Sequence, residues 1–149
     1  MKRYTLIFIF NHLKSHVVLM KKVRPAWQQG LFNGVGGKIE KNEKPDDCIL
    51  RETYEETGLF LIKDRLDLFG KLTDDGCEVW ECYCYAYVIG EKRIEGEPMT
   101  RTDEEVHWVP CSALDMANVP VVPNLKFLIP MARHEAKKID VTIKYKDDE

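Results

Sequence analysis

The chain has 149 residues, of which 44% are hydrophobic, and this size predicts one globular domain over residues 1–149. A formal net charge of −3 provides no basic field for a nucleic-acid backbone, so we expect no polymeric nucleic acid as partner. Five cysteines without a Cys-x-x-Cys pair indicate neither a disulfide framework nor a zinc site. The early apolar run lacks a cleavage site, and no stretch approaches membrane-spanning length, which predicts a soluble, cytoplasmic protein without a membrane partner.

The first predicted elements are two strands, RYTLIFIF at residues 3–10 and HVVLMKKV at 16–23, joined by a polar turn. RPAWQQGLFNGVGG, at residues 24–37, is rich in glycine and turn formers, which predicts a loop. A helix should begin near Pro45, since proline is tolerated in the first turn. It should end at Gly58, a favourable residue just beyond a helix.

The next predicted strands cover residues 66–73 and 77–90. In the second of them, the tyrosines face one way and Trp80, Cys82 and Cys84 face the other, because side chains alternate along a strand. EVHWVP at residues 105–110 predicts a short strand, and Ser112 is a candidate cap for a brief helical turn, SALDM.

The C-terminal segment predicts a helix over residues 124–138, in which Pro130 makes a kink or an early break. IDVTIKYK at residues 139–146 is a candidate final strand. This order of elements predicts the α/β (α+β) class, with helices packed on a mixed sheet.

The predicted first helix carries a dense set of acids. Glu52, Glu55 and Glu56 lie at helical spacing on one face, where each like-charged pair at i and i+4 costs about 0.2–0.5 kcal/mol. A solvated acidic face is the ordinary interpretation of such a run. A divalent cation with oxygen ligands, such as Mg²⁺, is the alternative. Two features favour the cation: the glycine-rich turn before the helix, and Arg51, which can hold a carboxylate with two hydrogen bonds.

These residues also form a motif. The stretch from Gly37 to Leu59 resembles the Nudix box, G-x5-E-x7-R-E-U-x-E-E-x-G-U, where U is apolar. Every charged and glycine position matches, and Thr53 at the first U position is a mild departure. The resemblance implies a Nudix-type α/β/α sandwich with a loop–helix–loop over residues 37–59. It also implies hydrolysis of a nucleoside diphosphate linkage with Mg²⁺ or Mn²⁺ as cofactor.

The resemblance also assigns roles within the box. It implies that Glu52, Glu55 and Glu56 hold the metal, with the Gly36 carbonyl as a further ligand. One of the glutamates, Glu52 in our interpretation, activates the attacking water. Arg51 belongs to the catalytic group and, with Glu43, holds the loop and helix in place.

Flanking residues suggest the substrate. GLFNGVGGKIE, YTLIFIF and DEEVHWVP resemble MutT-like nucleoside triphosphate pyrophosphatases, notably those that cleave 8-oxo-dGTP. By that resemblance Asn33 and Asn124 contact the base, Lys38 reaches the phosphates, and Glu104 belongs to the catalytic group as a further metal ligand or base. The ordinary alternatives are a turn for Asn33, a helix cap for Asn124, a surface lysine, and Glu105 in place of Glu104.

Several substrates remain open at this stage. The segments KLTDD and VVPN depart from the mammalian 8-oxo-purine enzymes, while markers of the NADH, ADP-ribose and diadenosine polyphosphate groups are missing. The expected partner is a small nucleotide. The alternatives are hydrolysis of ADP-ribose, a nucleotide sugar or a dinucleoside polyphosphate, and a non-catalytic nucleotide-binding regulator.

Overall fold

The computed structural model describes residues 1–74, 79–112, 118–134 and 139–142. Within them, a mixed sheet carries one α-helix on each face. The strands are β1 (Lys2–Phe10), β2 (His16–Lys21), β3 (Phe32–Asn33), β4 (Val35–Lys38), β5 (Asp67–Asp74), β6 (Trp80–Val88), β7 (Glu105–Pro110) and β8 (Ile139–Thr142). The helices are α1 (Pro45–Thr57) and α2 (Leu125–Arg133), and short 3-10 turns occupy Ala26–Gln28 and Lys63–Arg65.

The sheet order is β3-β2-β1-β6-β5-β8, with β4 added beside β1 and β7 beside β2. The β1–β6 and β5–β8 pairs are parallel and the other pairs are antiparallel, so the predicted mixed sheet is confirmed. Because β6 occupies one whole edge of β1, β2 and β4 must share the other edge. There β2 pairs at Phe10, whereas β4 pairs over Tyr4 to Ile7, so the sheet divides between them.

Helix α1 forms where the sequence predicts it. Pro45 is at its first position, Asp46 lies in the first turn, and Gly58 ends it with a left-handed φ of 78°. Its buried side includes Ile49 and Thr53, so the polar residue at the apolar motif position faces the core. This burial leaves the acidic residues on the remaining surface of the helix.

Alternation along β1 and β6 divides the core between the two sheet faces. Phe8 and Phe10 pack with Cys84 and the apolar side of α2, while Ile7 and Ile9 pack with Ile49 of α1. The tyrosines of β6 also lie on the α1 side, as the alternation predicts. Each face therefore has its own helix, which is the sandwich expected from the sequence.

Other predictions need correction. The segment predicted as a loop over residues 24–37 contains β3 and most of β4, because pairing with β2 and β1 overrides its glycine-rich composition. Helix α2 continues through Pro130 to Arg133, so the early break is wrong. Most of the SALDM turn, and the ends of the last predicted helix and strand, lie outside the described residues. In the described part of the chain no helix combines the length and apolarity needed to span a membrane.

Candidate metal and nucleotide site

The glycines before α1 lie on strand β4 and not in the turn that the sequence predicts. Gly36 pairs with Leu6, and Gly37 pairs with Thr5. A Cβ atom on Gly36 would lie 2.0 Å from the Thr5 carbonyl oxygen, whereas one on Gly37 would lie 2.4 Å from the Glu52 carboxylate. Glycine at these positions therefore permits close approach of a strand and of an acid.

These two contacts predict different effects of adding a methyl group. Gly36→Ala meets backbone and should destabilise the protein by about 3 kcal/mol, as overpacking does. Gly37→Ala meets the end of a side chain, which can swing away, so most of the stability should remain while activity falls with the displaced Glu52. Urea unfolding and steady-state kinetics on both variants test this contrast. Equal stability of the two variants would contradict it.

Arg51 donates hydrogen bonds to three of the acids in and before α1. Its Nε and Nη2 donate to both oxygens of Glu43 at 2.7 and 3.0 Å, and its Nη1 donates to Glu52 at 2.9 Å and Glu55 at 3.2 Å. Its Nη2 also lies 3.4 Å from the carbonyl oxygen of Lys38. The hydrogen bonds from Arg51 lower the pKa of Glu43 from 4.5 to about 2. Arg51 thus joins the β4–α1 connection to the acidic face.

The three acids of α1 differ in exposure. Glu55 is 55% exposed and Glu52 is 15% exposed. Burial raises the pKa of Glu52, although the neighbouring Arg51 acts in the opposite direction. Oε2 of Glu56 is buried and has no hydrogen-bond partner within the described structure. Glu52 and Glu56 are therefore more buried than the acids of a solvated helix face would be.

Glu56 has the most perturbed carboxyl group of the site. Burial, with added repulsion from Glu52 and Glu104, raises its pKa from 4.5 to about 8, and Lys22 and a hydrogen bond with the Gly36 backbone only partly oppose this. A buried carboxylate oxygen without a partner is costly unless a cation neutralises it. Glu56 thus needs either a proton or a metal ion.

Glu104 is close enough to Glu56 to raise its pKa, and Lys22 acts on both carboxyl groups. Glu104 Oε1 accepts from Lys22 Nζ at 2.9 Å, and Glu104 Oε2 accepts from the Val23 amide at 2.8 Å. Burial opposes ionisation, yet these hydrogen bonds lower the pKa of Glu104 below its ordinary value. Glu105 is 59% exposed and contacts His107, so Glu104 is the acid that faces the site.

A cavity of about 620 Å³ opens next to these acids. Its wall includes Lys22, which binds Glu104, and Gly36, whose backbone hydrogen-bonds Glu56, and it also includes Asn33 and Asn124. Trp27, which is 60% exposed, also lines it. A cavity with several amides and an aromatic face suits a nucleotide-sized ligand.

The predicted substrate residues are not all brought together. Asn33 donates to Gln28 Oε1 at 3.2 Å and accepts from the Gly34 amide at 2.8 Å. Asn124 precedes α2 but makes no side-chain capping bond to it, so its side chain is not the helix cap considered above. Lys38 is exposed on β4 and is absent from the described cavity lining. The two asparagines thus share the cavity, whereas Lys38 lies outside it.

Lys22 is the site residue that the sequence did not reveal. Its neighbour Lys21 is exposed, and both belong to an ordinary KK pair at the end of a strand. Nothing in that pair distinguishes Lys22, which is partly buried, from Lys21.

Oxygen donors of this kind fit a hard divalent cation. Carboxylates of Glu52 and Glu56, with backbone oxygen from β4, make the donor set that Mg²⁺ and Mn²⁺ prefer. The partnerless Oε2 of Glu56 is the observation that most favours a metal. Within the described residues, no three acidic, imidazole or thiol groups stand in a metal-binding arrangement. Arg51 donates hydrogen bonds to Glu52 and Glu55.

Comparison with known proteins defines the class. The NUDIX domain family model matches residues 2–127, so the chain belongs to the Nudix family. Among solved structures, a MutT protein from Bacillus halodurans superposes with a TM-score of 0.76 at 21% identity, covering 97% of this chain and 90% of that one. The fold is therefore of the MutT-like Nudix type, as the sequence predicts.

The chain is also similar to individual proteins of this family. The 8-oxo-dGTP diphosphatase of Escherichia coli is 26% identical over 125 residues, which cover 80% of this chain and 93% of the relative. An uncharacterised Nudix hydrolase of Bacillus subtilis, YvcI, is 29% identical over 110 residues, which cover 72% of this chain and 65% of the relative. The NUDIX domain of Shewanella oneidensis NrtR, solved with ADP ribose, has a TM-score of 0.71 at 18% identity, covering 88% of this chain and 85% of that one.

Proposed function

We propose that this Nudix protein hydrolyses nucleoside triphosphates with Mg²⁺ or Mn²⁺ and releases a nucleoside monophosphate and pyrophosphate. An oxidised purine nucleotide such as 8-oxo-dGTP is our favoured substrate. The similarity to the Escherichia coli 8-oxo-dGTP diphosphatase supports this choice of substrate class. The match to the NUDIX domain family over residues 2–127 supports the reaction.

One observation carries the proposal: the cavity and the acidic site share two residues. Lys22 and Gly36 line the cavity, and both also act on the Glu56 carboxyl group. A ligand in the cavity therefore contacts residues that neighbour the acids, and it also contacts Asn33 and Asn124. This combination suits a nucleotide whose phosphates bind a metal and whose base binds amides.

Each residue then has a proposed role. Glu52, Glu55, Glu56 and the Gly36 carbonyl hold the metal, which when bound polarises phosphoryl oxygens and lowers the pKa of a coordinated water. Glu52 accepts the proton of the attacking water. Arg51 keeps the acids in position.

The remaining residues act on the ligand and its surroundings. Glu104, held by Lys22, contributes a fixed negative charge near Glu56. Asn33 and Asn124 hydrogen-bond the base. Lys38 contributes positive charge from outside the cavity.

A second candidate is the hydrolysis of ADP-ribose. The observation in its favour is the structural similarity to the NrtR domain that was solved with ADP ribose. The cavity of about 620 Å³ also accommodates a ligand of that class. The two candidates differ in their products, so one assay separates them.

The test is a substrate panel in Mg²⁺ that includes the four dNTPs, 8-oxo-dGTP, ADP-ribose, NADH and a diadenosine polyphosphate. Pyrophosphate and nucleoside monophosphate are measured separately, with a metal-free reaction as control. We expect equal amounts of both products from a dNTP and the highest kcat/KM with 8-oxo-dGTP. Turnover of ADP-ribose alone would overturn the first candidate, and nucleotide binding without turnover would favour a regulator.

Two broader expectations stay predictions. They are the single-domain organisation over residues 1–149 and the cytoplasmic location. Limited proteolysis tests the first, because a single domain should yield no stable smaller fragment.

A further inference from the structure

The outer rim of the cavity has little packing of its own. This rim, residues 25–28, contains the Ala26–Gln28 turn and contributes Pro25, Trp27 and Gln28 to the cavity wall. No residue of the turn is buried. Backbone hydrogen bonds close the base of the loop, where Gly30 donates to the Lys22 carbonyl and Lys22 donates to the Leu31 carbonyl. Gln28 Oε1 also accepts a hydrogen bond from Asn33 Nδ2 at 3.2 Å, and a contact beside the rim would restrict its position further.

That contact is a two-point ion pair between Arg24 and Asp103. Arg24 Nη1 donates to Oδ1 of Asp103 at 3.2 Å, and its Nη2 donates to Oδ2 at 2.5 Å. Arg24 directly precedes the rim, and Asp103 directly precedes Glu104. The paired geometry restricts orientation more than a single contact does, although both side chains are more than half exposed.

The segment that carries Asp103 is itself attached to helix α1. Arg101 donates to the Tyr54 carbonyl at 2.9 Å, near the end of α1, and its guanidinium lies 4.8 Å from the centre of the Tyr54 ring. On its other side, Glu104 binds Lys22 and the Val23 amide. Asp103 therefore connects a firmly attached segment to the otherwise weakly packed rim.

We propose that Arg24 and Asp103 are positioning residues, whose ion pair holds the cavity rim in its substrate-binding position and thereby sets KM while leaving kcat unchanged. Neither residue lines the metal site. Loss of the pair lowers the fraction of molecules with an ordered rim, and apparent affinity falls by that fraction. The kinetic part of this proposal rests on the proposed function, whereas the ordering of the rim does not.

The test combines kinetics with hydrogen exchange of the ligand-free protein. Asp103→Asn should raise KM about three- to fivefold, the upper range for an exposed ion pair, with kcat within about twofold of wild type. The hydrogen-bonded amides of residues 28–31 should exchange faster in this variant. Arg24→Lys keeps the charge without the planar fork and should give a smaller effect of the same kind.

Glu97→Gln is the matched control, because it removes the Arg93–Glu97 ion pair, whose side chains are 61% and 56% exposed. It should leave KM and the exchange of residues 28–31 unchanged. The double variant Arg24→Asp/Asp103→Arg reverses the pair and should recover much of the wild-type KM.

Unchanged exchange in Asp103→Asn, or equal acceleration in Glu97→Gln, would overturn the proposal. A fall in kcat without a change in KM would overturn it as well. If the wild-type protein hydrolyses none of the panel, the proposed function fails, and the exchange comparison still decides whether the ion pair orders the rim.

Discussion

Glu56→Gln is expected to lower kcat at least about 100-fold while the protein stays folded, because groups that only orient a metal ligand already contribute about 10- to 100-fold. Glutamine keeps the shape of the side chain but removes the charge that a divalent cation requires. Steady-state kinetics in Mg²⁺, with circular dichroism to confirm folding, measure both parts. Full activity in this variant would show that Glu56 is not a metal ligand.

The same variant should be more stable than the wild type in metal-free buffer at high pH. The pKa of Glu56 is raised from 4.5 to about 8, so between these values the folded state binds more protons than the unfolded state. Stability of the wild type therefore falls as pH rises through this window. Glutamine has no proton to lose, so its advantage at pH 9 should be on the order of a few kcal/mol and should disappear near pH 4.

Added Mg²⁺ should make the wild type more stable relative to Glu56→Gln. A cation that binds the ionised Glu56 competes with its proton, so added Mg²⁺ should stabilise the wild type at pH 8 and leave Glu56→Gln nearly unchanged. Thermal unfolding with EDTA and with Mg²⁺ measures this effect. Glu55→Gln is a useful control, since its exposed carboxyl should affect activity without the stability gain at pH 9. A destabilised Glu56→Gln protein at pH 9 without metal would contradict the argument.

The elements that could be predicted from the sequence are those fixed by local chemistry. Pro45 and Gly58 bound α1 because proline suits a first helical turn and glycine tolerates a left-handed φ. The alternating tyrosines and cysteines of β6 face opposite sides because strand geometry requires it. Both signals lie within a few residues, so no knowledge of distant contacts was needed.

Strand β4 was missed because its structure depends on a distant partner. VGGK has low strand propensity, but pairing with residues 4–7 of β1 supplies its hydrogen bonds. The same distance explains Lys22 and Glu104, which are far apart in sequence and form an ion pair of 2.9 Å. The helical spacing of Glu52 and Glu56 predicts that the two acids share one face of α1. Only the fold shows which basic groups and which cavity lie beside them.

Arg51→Ala should be the most damaging substitution for the arrangement of the acids. The Arg51 guanidinium donates hydrogen bonds to Glu43, Glu52 and Glu55, and the Arg51 side chain is only 26% exposed. Removing one partner of a partly buried charge network leaves like charges without a counter-ion, which should destabilise the protein by about 2–3 kcal/mol. Activity should fall as well, since Glu52 and Glu55 lose the group that orients them. Arg51→Lys keeps the charge but cannot form the same fork, so it should be intermediate.

The pH dependence distinguishes this ion pair from a simple loss of packing. The pKa of Glu43 is lowered from 4.5 to about 2, so its contribution to stability is fully present above pH 4.5 and is lost as pH falls toward 2. The stability difference between wild type and Arg51→Ala should therefore be largest near pH 6 and smaller at pH 3, as measured by urea unfolding. Glu43→Gln provides the control, because its loss combined with Arg51→Ala should be less than the sum of the two separate losses. A difference that is unchanged or larger at pH 3 would mean that Arg51 stabilises the fold through its aliphatic chain, since packing of that chain does not depend on the charge of Glu43.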